Sequence, residues 1–388
     1  MGTAPIRRLP SYHVDPVLGA PAGEKTMTVS YLDAALSAAA VDVAMRDFFT
    51  ARRAEADVFG SDFAATVAEL ESFVMRGGKR LRPAFAWLGW LGAGGDPEAP
   101  VAGAVLTACA GFELLHASGL IHDDIIDASR TRRGRPAAHV AYAERHRAWG
   151  FSGDPETFGN GTAILIGDLA LIWADVLVRS SGLPEDAHTR ISPVWSAVRT
   201  EVMYGQLNDL ITQMSGNEDV DQARSVIRYK TASYTVERPL HFGAAIAGAD
   251  ADLVAAYRAF GADIGIAFQL RDDLLGVFGD PAVTGKPSGD DLREGKRTVL
   301  LATALKLGDE RDPDAARFLR EKVGRKLSGE DLARVRAILV DIGAVDQIES
   351  EIAHLSERAM VALEASTATA YAKHQLAEMA IKATQRTQ

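Results

Sequence analysis

Apolar residues recur at helical spacing along most of the chain. Phe63, Val67, Leu70 and Val74 fall on one stripe, and Val335, Ile338 and Leu339 on another. The second stripe is opened by Ser328 and Asp331, three positions apart and flanked by Leu327 and Leu332. That is a capping box with a hydrophobic staple. Strict period-two alternation is rare, so the pattern predicts an all-α fold, a single large helical bundle. Ser225–Glu237 is the ambiguous stretch, because its Val, Ile, Tyr and Thr content suits a strand on local propensity.

Gly and Pro clusters place loops near Arg76–Pro83, Gly92–Pro100, Arg130–His139, Gly150–Gly161, Gly182–Glu185, Ser215–Asp221 and Phe278–Arg297. No linker, repeat or compositional shift divides residues 27–388, which read as one helical domain. Residues 1–26 carry Pro5, Pro10, Pro16 and Pro21 and read as a flexible tail, with Met27 an alternative start.

Composition narrows the function classes. The 388 residues include 42 Lys+Arg and 52 Asp+Glu, a formal net charge of −10. That balance disfavours a nonspecific nucleic-acid binder, and at first sight any polyanionic ligand. Cys109 is the one cysteine. It excludes an intramolecular disulfide, reads as a small core residue, and fits a cytoplasmic protein. The most apolar run, Val101–Ile121, is interrupted by Glu113 and His116, so no membrane span is expected. Arg7 and Arg8 are not followed by an apolar run, unlike a signal peptide.

Two acidic clusters change the picture. In His122-Asp123-Asp124-Ile125-Ile126-Asp127, a helix puts Asp123 and Asp127 on one face with Asp124 beside it. Like charges at that spacing cost about 0.2–0.5 kcal/mol per pair. A divalent cation reverses the penalty, and hard carboxylate oxygens suit Mg²⁺ bridging to phosphates. A solvated acidic face is the alternative. The second cluster, Gln269-Leu270-Arg271-Asp272-Asp273, again follows an apolar run, Ile264–Phe268. Two such pairs facing each other across a bundle would hold metal ions and a polyphosphate between them. Cations accompany them: Lys79, Arg80 and Arg82 in the Gly77-Gly78 turn, Arg132 and Arg133 after the first cluster, and Lys230, Lys286 and Lys296 further on. Each can hold phosphate oxygens.

In combination and order, GGKRLRP at 77–83, DDIID at 123–127, RRG at 132–134, KT at 230–231 and FQLRDD at 268–273 resemble the all-trans polyprenyl diphosphate synthase family. Gly167-Asp168 and Gly205-Gln206 with Asp209 match it too, and the resemblance runs from about Tyr31 to the C-terminus. It implies an all-helical fold around a deep cavity, a homodimer, and condensation of an allylic diphosphate (dimethylallyl, geranyl or farnesyl) with isopentenyl diphosphate. Asp123, Asp124 and Asp127 would bind Mg²⁺ on the allylic diphosphate. Asp272, supported by Asp273, would hold a further ion from the opposite side, giving three in all. Arg132, Lys230 and Lys286 would contact the allylic diphosphate, with Lys296 a further candidate. Lys79, Arg82, His116 and Arg133 would bind isopentenyl diphosphate, with Gly78 allowing close approach. Thr231 and Gln269 would sit near the reacting carbons. One departure is Gly276, where the second motif often carries a third Asp. The competing readings are a class I terpene cyclase, a metal phosphohydrolase and a non-catalytic partner subunit.

Product length is read below Asp123. Gly119, Ser118 and Leu115 stand four, five and eight positions before it, and Leu115 lies about 12 Å down a helix. In the family, bulky aromatics at the first two positions floor the cavity at farnesyl. Both are small here, which implies a longer product. C20 geranylgeranyl diphosphate leads, with C15 and C25 or longer open.

Overall fold

Side chains mark where many of the helices begin. Asp154, Asp219, Asp250, Thr298, Asp312, Ser328 and Thr369 each accept the backbone N–H three residues on, satisfying donors that a helix start leaves open. The box at Ser328 and Asp331 forms as its spacing predicts, and Leu327 and Leu332 are buried. At α6 the cap overrules the glycines: Asp154 and Pro155 start the helix, so Gly159 and Gly161 lie within it rather than in the expected loop.

The computed structural model describes residues 34–279 and 289–385. Its helices are α1 (Ala34–Ala56), α2 (Ser61–Met75), α3 (Leu81–Gly92), α4 (Ala102–Ile126), α5 (Ala138–Trp149), α6 (Pro155–Arg179), α7 (Glu185–Ser215), α8 (Val220–Val226), α9 (Arg238–Ala247) and α10 (Ala251–Phe278). They continue with α11 (Asp290–Glu294), α12 (Val299–Arg311), α13 (Pro313–Lys322), α14 (Gly329–Asp341), α15 (Ala344–Ala365) and α16 (Ala370–Thr384). Among the described residues the only strands are β1 (Thr131–Arg132) and β2 (Arg135–Pro136), an antiparallel pair. Arg133 and Gly134 join them with φ of 52° and 73°, the backbone of a tight type I′ hairpin turn. The tail at 1–26 lies outside the described residues.

One core gathers apolar residues of α1–α4, α6, α7 and α9 around the first half of α10. A second surrounds the later half of α10 with α12–α15. Cys109 is buried in the first, as a core residue. Three helices, α4, α6 and α10, are long and apolar enough to cross a membrane by length and composition, against the expectation that no run would qualify. Glu113 does not interrupt α4, because its charge is paired with Arg80 at 2.5 Å. The apolar face of α4 goes into the core, where 72% of its most apolar window is buried.

Ser225–Glu237 is helical. Ile227–Glu237 forms a π helix, continuous with α8 before it and α9 after it. The strand alternative fails because β propensity expresses fit to a pleated sheet, and this segment packs between the helices α7 and α10. Its backbone groups are satisfied within the rod instead. A π turn is wide, and glycines make room for it. A Cβ on Gly205 of α7 would lie 2.7 Å from Lys230 Cα, and one on Gly265 of α10 would lie 2.5 Å from Ala232 Cα.

Candidate active site

The first acidic motif closes α4. Asp123 sits in its last turn, and Asp127 caps it with an N–H donated to the Asp123 carbonyl at 2.8 Å. Each carboxylate has its own cation. Lys230, on the π segment, donates to Asp123 at 3.1 Å and to Asp209 of α7 at 2.6 Å. Gln206 adds a bond to Asp123 at 3.0 Å. Burial works against the Lys230 charge, but Asp123 and Asp209 outweigh it and raise the pKa. Asp124 is fully buried and accepts two bonds from Arg132, that from Nε at 2.9 Å. Asp127 lies 3.3 Å from Lys296 Nζ. The repulsion read from the sequence is thus met by three cations from the hairpin, the π segment and the stretch after α11.

The second motif lies on α10. Thr231 Oγ1 donates to Gln269 Oε1 at 2.9 Å, and Gln269 Nε2 donates to Asp273 Oδ1 at 2.8 Å. This relay fixes the amide so that it links the π segment to the buried carboxyl. Burial holds Asp273 well above the ordinary carboxylate range. Arg271 turns outward onto Glu349 and the Thr384 carbonyl. Asp123, Asp272 and Asp273 line one cavity of about 750 Å³, together with Lys79, Arg132, Lys230, Thr231, Gln269 and Lys296. Asp209, Asp290 and Asp291 line it as well. Lys286 lies outside the described residues.

Beside this cavity the Gly77-Gly78 turn and the hairpin gather cations. Arg80 does not reach for a ligand. It adopts φ 48°, is buried, and holds Asp42 at 2.9 Å, Glu113 at 2.5 Å and the Val74 carbonyl at 2.9 Å. It pins the turn between α1 and α4. Arg82 stacks over the Tyr234 ring at 4.1 Å and donates to Thr235 at 3.0 Å. Arg133 donates to the Gly77 carbonyl, and a Cβ on Gly78 would lie 3.4 Å from its guanidinium. His116 shares a 2.9 Å bond with the Tyr234 hydroxyl. Burial, then Arg82, Arg133, Arg132 and Arg80, holds this imidazole well below its usual pKa. Arg80 and Arg132 are already paired with Glu113 and Asp124, so Arg82 and Arg133 beside this histidine are the arginines that make a site attractive to an anion.

Among the described residues, no three His, Cys, Asp or Glu side chains gather closely enough to hold a metal ion alone. The donor chemistry nonetheless fits Mg²⁺. Hard carboxylate oxygens of Asp123, Asp272 and Asp273 reach one cavity from two helices, while Asp124 is buried behind Asp123 against Arg132. An ion here would complete its shell with water and phosphate oxygens, as Mg²⁺ habitually does.

Along α4, His116, Gly119, Leu120 and Asp123 share the open stripe, whereas Leu115 and Ser118 are turned into the core. A Cβ on Gly119 meets nothing within 4 Å. Ser118 is 1% exposed and its hydroxyl has no hydrogen-bond partner.

Sequence reasoning missed Tyr234 and Asp291. Tyr234 lies four positions after Lys230, a helical spacing hidden by the strand-like composition. Asp291 follows a Gly-rich stretch that offers no periodicity.

Comparison with known proteins agrees with this arrangement. The family model described as polyprenyl synthetase matches residues 65–340. A geranylfarnesyl diphosphate synthase of Aeropyrum pernix is 35% identical over 290 residues, covering 74% of this chain and 83% of the relative. A (2E,6E)-farnesyl diphosphate synthase of Mycobacterium tuberculosis is 31% identical over 266 residues, covering 69% and 67%. The crystal structure of a geranylgeranyl pyrophosphate synthase from Corynebacterium glutamicum, complexed with isoprenyl diphosphate and magnesium, superposes with a TM-score of 0.87 at 46% identity, covering 91% of this chain and 99% of that one. With its motifs in family order and its all-helical frame shared with that enzyme, the chain belongs to the polyprenyl synthetase family of trans-prenyltransferases.

Proposed function

We propose that the chain condenses an allylic diphosphate with isopentenyl diphosphate in a Mg²⁺-dependent reaction, and that geranylgeranyl diphosphate (C20) is its main product. The observation that carries the reading is the meeting of Asp123 and Asp272 in one cavity with Lys230, Lys79 and the Thr231–Gln269 pair. In this reading three ions would be held by Asp123, Asp127, Asp272 and Asp273, with Asp124 set behind them on Arg132, and would supply charge neutralisation at the diphosphate.

The chain's own residues do the rest. Lys230 and Arg132 stand beside Asp123 and hold diphosphate oxygens as negative charge accumulates there. Lys79, Arg82, Arg133 and neutral His116 take the second diphosphate. Gln269 Oε1 and Thr231 Oγ1 present dipoles that stabilise an allylic cation without a nucleophile strong enough to capture it. The proton lost after carbon–carbon bond formation leaves with the diphosphate, so no Ser-His-Asp arrangement is required.

Gly119 supports the C20 reading, because one turn below Asp123 it carries no side chain and a Cβ there meets nothing within 4 Å. A homodimer is part of the same reading. Ile164, Leu165 and Ile172 on α6, with Met203, Tyr204, Leu207, Ile211 and Met214 on α7, form exposed apolar faces of the sort that mark interfaces. A cytoplasmic location accompanies it, supported by the free thiol of Cys109.

The test is a product assay with dimethylallyl, geranyl and farnesyl diphosphates, each with isopentenyl diphosphate and Mg²⁺. The expected result is chain growth stopping mainly at C20. Phosphate release without chain growth would refute the reaction, and a C15 or C25 end point would refute the length.

A further inference from the structure

Lys230 and Thr231 sit on a stretch that is not wound as an α helix. Ile227–Glu237 keeps the wide π winding over eleven residues, between α8 and α9. Long π stretches are rare and tend to mark functional sites. A rod joined to α helices at both ends needs something to hold it in that geometry.

A charge pair joins the two ends of the stretch. Arg228, near its start, meets Glu237, its last residue. The contact joins charges without an aligned hydrogen bond. Glu237 is buried, and its other carboxylate oxygen accepts from Arg258 Nε of α10 at 2.9 Å. A Cβ on Gly261 of α10 would lie 2.5 Å from Glu237 Cα. The carboxylate is thus held against α10, and Arg228 must come to it.

The spacing of the pair selects the winding. Arg228 and Glu237 are nine positions apart (237 − 228). At about 3.6 residues per turn, nine positions make two and a half turns, and the side chains of an α helix would point to opposite sides. With i→i+5 bonding, at roughly 4.4 residues per turn, nine positions make about two full turns and the side chains share a face. Just upstream, in α8, Arg224 pairs with Asp221 at the three-residue spacing of an α helix. A second carboxylate repeats the π spacing. Ser233 and Arg238, five positions apart, both donate to Glu201 of α7, Arg238 Nε at 3.0 Å.

We infer that Arg228 and Glu237 are positioning residues for the reaction: their charge pair, seconded by Glu201, locks the rod in the π register and so turns Lys230 and Thr231 toward the cavity. The inference rests on the reading that Lys230 works on the allylic diphosphate. Neither Arg228 nor Glu237 is among the described residues that line the cavity. They act through the phase of the backbone. Without the pair the stretch relaxes toward α winding, and each residue of register lost turns Lys230 by about 100° against α9.

The experiment uses the full-length protein with Arg228→Gln, Glu237→Gln, the two together, and Arg228→Lys. Steady-state kinetics with geranyl and isopentenyl diphosphates are set beside thermal melting and amide hydrogen exchange over residues 227–237. Each Gln variant is expected to melt as a folded protein and to lose kcat about tenfold or more. The KM for isopentenyl diphosphate is expected to hold, because Lys79, Arg82 and Arg133 stand on other elements. The double variant is expected to fall no further than the worse single one, since the same contact is lost in all three. Arg228→Lys keeps a charge within reach and is expected to recover most of kcat. In the Gln variants exchange is expected to quicken about tenfold within 227–237 and to stay parental in α4 and α6. Parental exchange within 227–237 would show that the pair does not hold the register, whatever the turnover. Losses that multiply in the double variant, or an Arg228→Lys no better than Arg228→Gln, would overturn the inference too. Lys230→Met tests the reading beneath it. Parental turnover in that variant would remove Lys230 from the reaction, and exchange would then decide by itself whether the pair holds the register.

Discussion

Gly205→Ala adds one methyl group at the closest approach between α7 and the π segment. The new Cβ would lie 2.7 Å from Lys230 Cα and 2.7 Å from the Tyr229 carbonyl carbon. Both are backbone atoms, so no rotamer change relieves the overlap. Restoring an ordinary carbon–carbon separation of about 3.5 Å requires the rod to move by roughly 1 Å. Overpacking of this size costs about 1–3 kcal/mol, and replacing a helical glycine by alanine returns about 1 kcal/mol of it. The net loss of stability is therefore small. The displacement, however, falls on Lys230, which is held to Asp209 at 2.6 Å and Asp123 at 3.1 Å, and on the neighbouring Thr231. A misplacement of about 1 Å can lower the rate about 100-fold. The expected outcome is a melting temperature lowered by a few degrees at most, with kcat down about 100-fold. Steady-state kinetics with geranyl diphosphate, set beside calorimetric melting, measures both. Parental kcat in a folded Gly205→Ala protein would show that the spacing between α7 and the π segment does not position Lys230.

Four further outcomes are expected. Asp123→Asn removes the carboxylate shared by Lys230, Gln206 and Arg132; turnover should fall by about 10²–10³, and near-normal turnover would remove Asp123 from the machinery. Gly119→Phe fills open space on the cavity stripe and should shorten the product, read by chromatography, whereas Ser118→Phe overpacks a buried position and should lower stability by about 1–3 kcal/mol with less effect on length; the reverse ranking would place the floor beneath Ser118. Burial and Arg238 push His241 down to about 4, and burial with four arginines holds His116 well below 6.5. Both stay neutral in the fold while the unfolded chain takes up protons below about 6.5, so stability is complete above that pH and declines as the pH falls toward 4; His241→Gln should flatten the melting temperature between pH 6.5 and 4.5, and an unchanged slope would count against it. Leu207→Glu places a charge on the exposed face of α7 and should give a monomer in sedimentation velocity, whereas a persisting dimer would locate the interface elsewhere.

The frame and the cavity differ in how much of them the sequence discloses. Helices with a regular stripe or a capping box, such as α2 and α14, are legible because periodicity and caps are local properties. The π segment is not. Its Val, Ile, Tyr and Thr content points to a strand, and only glycines on two other helices, Gly205 and Gly265, reveal that a wide helix must fit between them. The Asp-rich motifs are legible because repeated carboxylates at fixed spacing have few other uses. The distinction among them is not: Asp124 faces Arg132 in the interior while Asp123 faces the cavity, although the two are adjacent in sequence. Ser118 and Gly119 also divide, one buried and one exposed, because one step along a helix turns a side chain by about 100°. Arg80 sits among ligand-type cations yet braces the fold, which no spacing could indicate. Asp291 lies beside Gly276 of α10, a tertiary relation with no trace in local pattern.

The rod from Val220 to Ala247 also constrains how the sequence can change. Its π stretch alters the angular phase between the two ends, so that Lys230 and Thr231 meet the cavity while Leu240 and Phe242 meet the core. Deleting one residue between Ile227 and Glu237 would let the stretch relax toward α geometry. The upstream part would then turn by about 100° against the downstream part, and Lys230 or the core residues would face the wrong way. Point substitutions here are graded in effect, but insertions and deletions are all-or-none. The length of this segment is therefore a quantity that drift can scarcely adjust, even where its letters vary.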